Sequence, residues 1–179
     1  YMSGWTFPYA SGVEVTEAAL RVAVGLDPGD LRPVRRWCSA ERAFISAPGT
    51  VAEARGLEAA REVSAVRNLF VRTSLGLRDV ARGELPDLSG LEVVFPTNNV
   101  QKCGNVITAA ESREEAVGRA REAIGRIFLR LVPDCPATTE FLLGESPRVP
   151  DAPAFRLASE RARASLARMP PWAGSVGSA

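Results

Sequence analysis

Apolar and polar residues recur at helical spacing near the start of the chain. In VEVTEAALRVAVG (13–25), Val15, Ala19 and Val22 fall on one side of a helix, and charged residues fall on the other. Gly25 ends the pattern, as glycine commonly does at a helix C-terminus. The segment therefore predicts an amphipathic helix, and we expect its apolar face to pack against a neighbouring sheet or partner.

A second helical pattern begins at Ser112. Ser112 and Glu115 have the spacing of a capping box, which fixes a helix N-terminus. A continuous apolar stripe follows, formed by Val117, Ala120, Ile124, Ile127 and Leu131. The pattern predicts a helix that runs to about residue 131. Within it, Gly118 and Gly125 lie one heptad apart and indicate close approach of a neighbouring backbone.

Between these helices the pattern changes to that of short strands. Four β-prone segments are separated by turn-rich sequence: ERAFIS (41–46), RNLFVR (67–72), LEVVFP (91–96) and NVITAA (105–110). Pro48 and Gly49 mark a turn, and GLEAAREV (56–63) predicts a short helix. Strands bracketed by helices in this way indicate an α+β fold with a small antiparallel β-sheet.

After a PDCP break, the C-terminal part of the chain has helical spacing again. TTEFLLG (138–144) is followed by an apolar pattern formed by Phe155, Ala158, Ala162 and Leu166. The final MPPWAGSVGSA is rich in proline, glycine and serine, so a helical extension with a mobile tail is predicted.

The composition excludes several classes of function. Hydrophobic residues make up 46% of the 179 residues and charged residues 24%, as in ordinary soluble domains. A net charge of +1 provides no global field to gather nucleic acid. No apolar run approaches the roughly 18 residues needed to span a bilayer. These features predict a cytoplasmic protein that binds neither nucleic acid nor membrane.

Few residues are candidates for catalysis or metal binding. The chain has no histidine, and its three cysteines are widely spaced, which suits neither a disulfide framework nor a zinc site. Neither GxxxxGK nor GxGxxG occurs, so the common phosphate-binding loops are absent. Paired glutamates such as Glu14 and Glu17 lie in first helical turns, where they favour the helix dipole. We therefore assign no catalytic and no metal-ligating residue.

Two polar segments are candidate binding sites. The first, residues 1–12, is predicted as a glycine-containing loop that could form the wall of a pocket for a small polar ligand, and its candidate substrate-binding residues are Tyr1, Ser3, Gly4, Trp5, Thr6, Tyr9 and Ser11. The second is PTNNVQKCGN (96–105), with Asn98, Asn99, Gln101, Lys102 and Asn105. The alternatives are an aromatic-anchored surface loop for the first segment and a polar hairpin connection for the second.

The order of segments resembles the C-terminal part of ATP-grasp ligases, which include biotin carboxylase, glycinamide ribonucleotide synthetase and amino-acid ligases. The family's glycine-led helix with an LRxAxG-like end is matched by Gly12, Val13, Glu14, Leu20, Arg21, Ala23 and Gly25. Its final strand and EEA-type helix start are matched by Gly104, Val106, Ile107, Ser112, Glu114, Glu115 and Ala116. The resemblance covers residues 1 to about 131.

The resemblance implies a ligase that uses ATP and magnesium to activate a carboxylate as an acyl phosphate, which an amine then attacks. The family's ATP-contacting lysines and metal ligands precede the glycine-led helix, so we expect the catalytic half in a missing N-terminal portion and an inactive isolated chain. The implied division is the end of the catalytic domain (1–33), a C-terminal α+β subdomain (34–132) and the extension (133–179). The alternative is a non-catalytic dimerisation or scaffold module, and a homodimer is compatible with either hypothesis.

Overall fold

Two antiparallel sheets and the helices around them form the part of the chain that the computed structural model describes, residues 2–144. The strands are β1 (Cys38–Phe44), β2 (Gly49–Arg55), β3 (Val66–Thr73), β4 (Gly76–Asp79), β5 (Glu92–Val93), β6 (Gly104–Ala110) and β7 (Phe128–Leu131). The helices are a π-helical turn (Met2–Thr6), α1 (Phe7–Ser11), α2 (Val15–Ala23), α3 (Leu57–Arg61), α4 (Arg113–Gly125) and α5 (Pro136–Leu143). This architecture confirms the predicted α+β class.

The larger sheet has the strand order β1-β6-β3-β4, and the smaller one has the order β5-β2-β7. All seven residues of β6 are buried, since β6 lies between β1 and β3 and is covered on both faces. Helix α4 packs on one face, where the Thr108 hydroxyl donates a 2.7 Å hydrogen bond to the carbonyl of Ala116. The strands predicted at 41–46, 67–72 and 105–110 correspond to β1, β3 and β6.

Helix α2 confirms the helix predicted over residues 13–25, but the predicted face is not buried within the described residues. Ala19 is exposed and Val22 is 57% exposed. The buried positions are instead Val13 and Ala18. Helix α2 therefore exposes apolar side chains to solvent, and Leu20 is a further example.

The segment predicted as a loop over residues 1–12 is helical from residue 2 onward. Pro8 lies in the first turn of α1, where the missing N–H of proline costs no hydrogen bond. Gly12 ends the helix with φ 79°, and its N–H bonds the carbonyl of Pro8 at 2.7 Å. The loop prediction was wrong because glycine and hydroxyl residues do not by themselves break a helix, and of the glycines in this segment only Gly12 ends an element.

Helix α4 starts as predicted, since the hydroxyl of Ser112 accepts the N–H of Glu115 at 3.1 Å. The predicted continuation to Leu131 is wrong, because the chain leaves the helix after Gly125 and β7 pairs with β2. The buried face of the helix consists of Ala116, Ala120 and Ala123. The prediction for Gly118 and Gly125 is also wrong, since no heavy atom lies within 4 Å of a Cβ placed on either.

Besides β7, strands β2 and β4 were not predicted. The sequence marks only a turn at the start of β2 and turn-rich sequence at β4, whereas β2 pairs with the distant β5 and β7, and β4 forms a hairpin with β3. Of the predicted strand 91–96, only Glu92–Val93 is paired. The short helix predicted over 56–63 is present as α3, and residues 138–144 overlap α5. The helical pattern from Phe155 to Leu166 and the tail lie outside the described residues.

Candidate functional site

One face of the larger sheet carries a concentration of polar residues. The strand register places Ala43 of β1 and Phe70 of β3 opposite Asn105 of β6, and places Glu41 and Asn68 opposite the next residue on that face, Ile107. Residues opposite each other on antiparallel strands share a face. We call this surface, defined by Glu41, Ala43, Asn68, Phe70, Asn105 and Ile107, the polar sheet face.

The N-terminal helices lie over the polar sheet face. The ring of Trp5 packs edge-on against Phe70, with centroids 5.1 Å apart and an interplanar angle of 71°. Tyr9 forms a side-chain hydrogen bond with Asn68, and burial raises the pKa of the Tyr9 phenol. Trp5 remains 36% exposed. The first candidate segment thus supplies aromatic side chains that border this face.

The second candidate segment reaches the same face through Lys102. Its ammonium lies 2.8 Å from a carboxylate oxygen of Glu41, and the Lys102 side chain is only 11% exposed. Arg72 donates a 3.0 Å hydrogen bond to the carbonyl of Lys102 and another to the carbonyl of Val100. These bonds hold the turn that precedes β6, so the ion pair has a defined position beside the sheet.

Asn105 is the least satisfied polar side chain of the face. The residue is 0% exposed, and within the described residues neither its Oδ1 nor its Nδ2 has a hydrogen-bond partner. A buried amide without partners destabilises a folded protein by roughly 1–3 kcal/mol per unsatisfied group. An unpartnered buried polar group in a native protein calls for an explanation, such as a bound water or ion, a catalytic role or stored strain. Asn105 therefore marks the centre of the candidate site.

The remaining predicted residues have local roles or lie outside the site. The hydroxyl of Ser11 donates to the carbonyl of Phe7 at 2.8 Å and accepts the N–H of Val13 at 3.1 Å, which joins α1 to the following turn. Asn98 accepts the N–H of Val100 at 2.9 Å within its own turn.

Five further candidate residues remain. Gly4 and Asn99 are exposed, and Thr6 is half-buried. Tyr1 and the side chain of Ser3 lie outside the described part of the structure.

Sequence reasoning missed Glu41, Asn68 and Arg72 as members of the site. Each lies in a strand, and its partners in the site come from distant parts of the sequence. Glu41 and Lys102, for example, are 61 residues apart. No local spacing could have linked them. A polar residue within an apolar strand, such as Asn68 and Asn105, was the available signal.

A groove lies between α2 and the segment that follows it. This groove of about 250 Å³ is lined by Glu14, Glu17, Arg21 and Asp30 among others. Arg21 pairs with Glu17 at 3.7 Å, and Asp30 with Arg32 at 2.7 Å, so charges at its rim are neutralised locally. Across residues 2–144 there is no group of three or more cysteine and acidic side chains suited to a metal ion.

No helix in the described part of the chain combines the length and apolar character that a membrane span requires. No protein-family model matches the sequence, and no curated protein matches it significantly.

Two solved ligase structures match the fold. An L-amino acid ligase from Bacillus licheniformis has 18% sequence identity and a TM-score of 0.53, with 73% of this chain and 29% of that chain covered. A phosphoribosylglycinamide synthetase from Anaerococcus prevotii has 13% identity and a TM-score of 0.54, with 73% and 31% covered. The chain thus spans less than a third of either protein. Both are ATP-grasp enzymes, and the chain therefore has an ATP-grasp-like fold, as its sequence resemblance predicted.

Proposed function

We propose that this chain is the C-terminal portion of an ATP-dependent carboxylate–amine ligase and that the polar sheet face closes one side of its acceptor-substrate pocket. The observation that carries the proposal is the shared fold with two ligases, of which the chain matches 29% and 31%. On this proposal residues 1–33 complete the catalytic domain, and the enzyme acts in the cytoplasm on small-molecule carboxylates and amines.

The family's ATP and magnesium do not fit the described residues. Neither GxxxxGK nor GxGxxG occurs in the sequence, and residues 2–144 offer no group of carboxylates for a metal ion. Several acidic residues are already committed to arginines, as Glu53 is to Arg55 and Arg130. We therefore assign the nucleotide and its metal to the rest of the ligase, and we expect the 179-residue chain alone to show no calorimetric binding of magnesium-ATP.

The polar sheet face suits an acceptor pocket because it joins fixed charges to an aromatic cover. The pair formed by Glu41 and Lys102 can orient a polar substrate, and Trp5 against Phe70 restricts access of water. Exclusion of water protects a hydrolysable acyl phosphate until the amine attacks it. Trp5 is thus proposed to maintain the coupling between ATP consumption and ligation rather than to take part in bond formation.

The test compares Trp5→Ala with Phe7→Ala in the ligase expressed from its complete reading frame. Phe7 is a matched control, because it is an aromatic residue of the same segment and is 46% exposed. We expect Trp5→Ala to release phosphate in excess of ligated product, with ATP affinity unchanged, and Phe7→Ala to remain coupled. If Trp5 has only a structural role, Trp5→Ala should lower the free energy of unfolding by up to roughly 3–5 kcal/mol. The melting temperature would then fall, and ATP turnover and ligation would decrease together. Full coupling in a stable Trp5→Ala enzyme would contradict both readings.

A specific observation also favours the alternative, a dimerisation or scaffold module. Leu20 and Val24, four residues apart on and beside α2, lie on one side of the helix and are 65% and 72% exposed, and contiguous exposed apolar patches mark association surfaces. The two hypotheses differ in one measurement. The protein from the complete reading frame should hydrolyse ATP in the presence of a carboxylate and an amine if it is a ligase, and should not do so if it is a scaffold.

A further inference from the structure

The half-buried ring of Trp37 holds two arginines at the surface of the protein. The segment before β1 is fixed against α1, since the N–H of Trp37 donates to the carbonyl of Ala10 at 3.0 Å. The guanidinium carbons of Arg35 and Arg67 lie 5.7 Å and 5.5 Å from the centroid of the Trp37 ring. These are cation–π contacts. Because the ring has no net charge, it positions the two guanidiniums without neutralising them.

A third arginine extends this surface. Burial raises the pKa of the Tyr9 phenol, and the charges of Arg67 and Arg82 act on the same group in the opposite direction. Arg35, Arg67 and Arg82 are exposed, and within residues 2–144 none of them is paired with a carboxylate. We call the surface defined by Arg35, Trp37, Arg67 and Arg82 the arginine surface.

A carboxylate borders the arginine surface. Asp79 also acts on Tyr9, with the opposite sign to the arginines. The Asp79 oxygens accept the side-chain amide of Asn68 at 2.6 Å and the N–H groups of Leu69 and Ala81 at 3.2 Å and 3.0 Å. Asp79 is therefore committed to its own strand and turn. It leaves the arginines available to a ligand, and it limits how far a continuous row of anionic groups can extend beside them.

The shape of the arginine surface favours a partner chain over an enclosed small molecule. Neither the groove beside α2 nor a cavity of about 90 Å³ beside Cys103 is lined by these arginines. Arginine and tryptophan are among the side chains that contribute most to protein–protein binding, and a guanidinium can bind a carboxylate through two hydrogen bonds. Nucleic acid is the less suitable polyanion, because its affinity comes from neutralising many phosphates and Asp79 interrupts such a row.

We propose that the arginine surface binds an acidic segment of a partner protein, whose carboxylates pair with the arginines and whose apolar side chains pack on Trp37. The chain's own residues 145–179 do not supply this segment, because they contain five arginines and only three acidic residues. The inference goes beyond the proposed function, since an acidic partner is compatible with a ligase and with a scaffold.

The first test is an anisotropy titration of the full 179-residue chain with a fluorescein-labelled peptide of repeated Glu-Glu-Leu units. The same peptide with glutamine in place of each glutamate is the charge control, and a labelled oligothymidine is the nucleic-acid control. We expect the glutamate peptide to bind saturably and both controls to bind at least tenfold more weakly. Absence of binding by the glutamate peptide, or equal or tighter binding of either control, would overturn the inference.

Charge reversals test whether binding occurs at this surface. Arg35→Glu and Arg67→Glu should each weaken binding of the glutamate peptide at least tenfold and leave the melting temperature close to that of the parent, because both side chains are exposed. Arg121→Glu is the matched control, since Arg121 is an exposed arginine of α4 with no carboxylate partner in the described part of the chain. Unchanged binding in either surface variant, or an equal loss in the control, would overturn the inference.

Two further measurements complete the test. The indole N–H resonance of Trp37 in the parent chain should shift saturably with the glutamate peptide, and absence of a shift would overturn the inference even if a variant fails to fold. The protein from the complete reading frame should bind the peptide as tightly as the chain does. Loss of binding there would show that the rest of the same protein covers the arginine surface, which would contradict a separate partner.

Discussion

Gly104, the first residue of β6, should tolerate no side chain at all. A Cβ built at this position overlaps the carbonyl oxygen of Phe70 and the ring of Phe44, far inside the ordinary contact range of 3.4–4 Å. The oxygen belongs to the backbone of β3, whose residues pair with β6 in the ladder. It cannot move away without breaking the register that also positions Asn105. Gly104→Ala must therefore either separate the two strands or displace Phe44 from the core.

The size of the effect follows from this geometry. Adding a methyl group to a close-packed interior usually costs about 1–3 kcal/mol, and more where backbone rather than a flexible side chain is in the way. Phe44 is 7% exposed and belongs to the main hydrophobic cluster, so its displacement adds lost burial. We expect Gly104→Ala to destabilise the chain by about 3 kcal/mol, which lowers the melting temperature by roughly 6–12 °C in a protein of this size.

Equilibrium unfolding in urea measures the change, with Gly118→Ala as the matched control. Gly118 lies within α4, where no heavy atom is within 4 Å of the added Cβ. The control should be stabilised by about 0.5–1 kcal/mol, because alanine loses less backbone entropy than glycine in a helix. The two substitutions thus have opposite expected signs. A Gly104→Ala chain as stable as the parent, with the same urea dependence, would refute the close approach of β3 and β6 at this residue.

Three further predictions concern the capping box, the thiols and the exposed helix. Ser112→Ala should lower the stability by about 1 kcal/mol, measured in the same urea assay, because α4 loses its N-cap hydrogen bond, and no change would contradict the cap. Burial raises the pKa of Cys103 to about 11, whereas hydrogen bonds from the first turn of α5 lower that of Cys135. At pH 8 the thiolate fraction is therefore larger at Cys135 than at Cys103, so iodoacetamide should label Cys135 before Cys103 in a mass-spectrometric time course, and equal rates at the two thiols would argue against this difference. Light scattering should show self-association of the chain that Leu20→Gln and Val24→Thr together reduce, because these exposed residues lie on one side of the helix, while a strictly monomeric parent would contradict an associating apolar face.

The sequence by itself determined the elements whose signals are local. The start of α4 follows from Ser112 and Glu115, which are three residues apart and form their hydrogen bond within one turn. Strands β3 and β6 follow from the short β-prone runs RNLFVR and NVITAA, whose central residues are buried. The resemblance to ATP-grasp ligases also came from the sequence alone, because it depends on two local motifs and their order along the chain and not on how they pack.

Only the tertiary structure decided the ends of elements and the composition of the candidate site. The helical spacing of apolar residues continues in the sequence beyond Gly125, yet helix α4 ends there and the chain forms β7, which pairs with β2. Pairing with β2 satisfies the backbone N–H and C=O groups that a longer helix would have bonded internally. In the sequence the two candidate segments are separate sites, and packing of the N-terminal helices on the sheet brings Trp5 to the face that Lys102 also borders. Glu41 and Asn105 joined them through antiparallel pairing, which depends on contacts more than 60 residues apart in sequence and therefore leaves no local pattern.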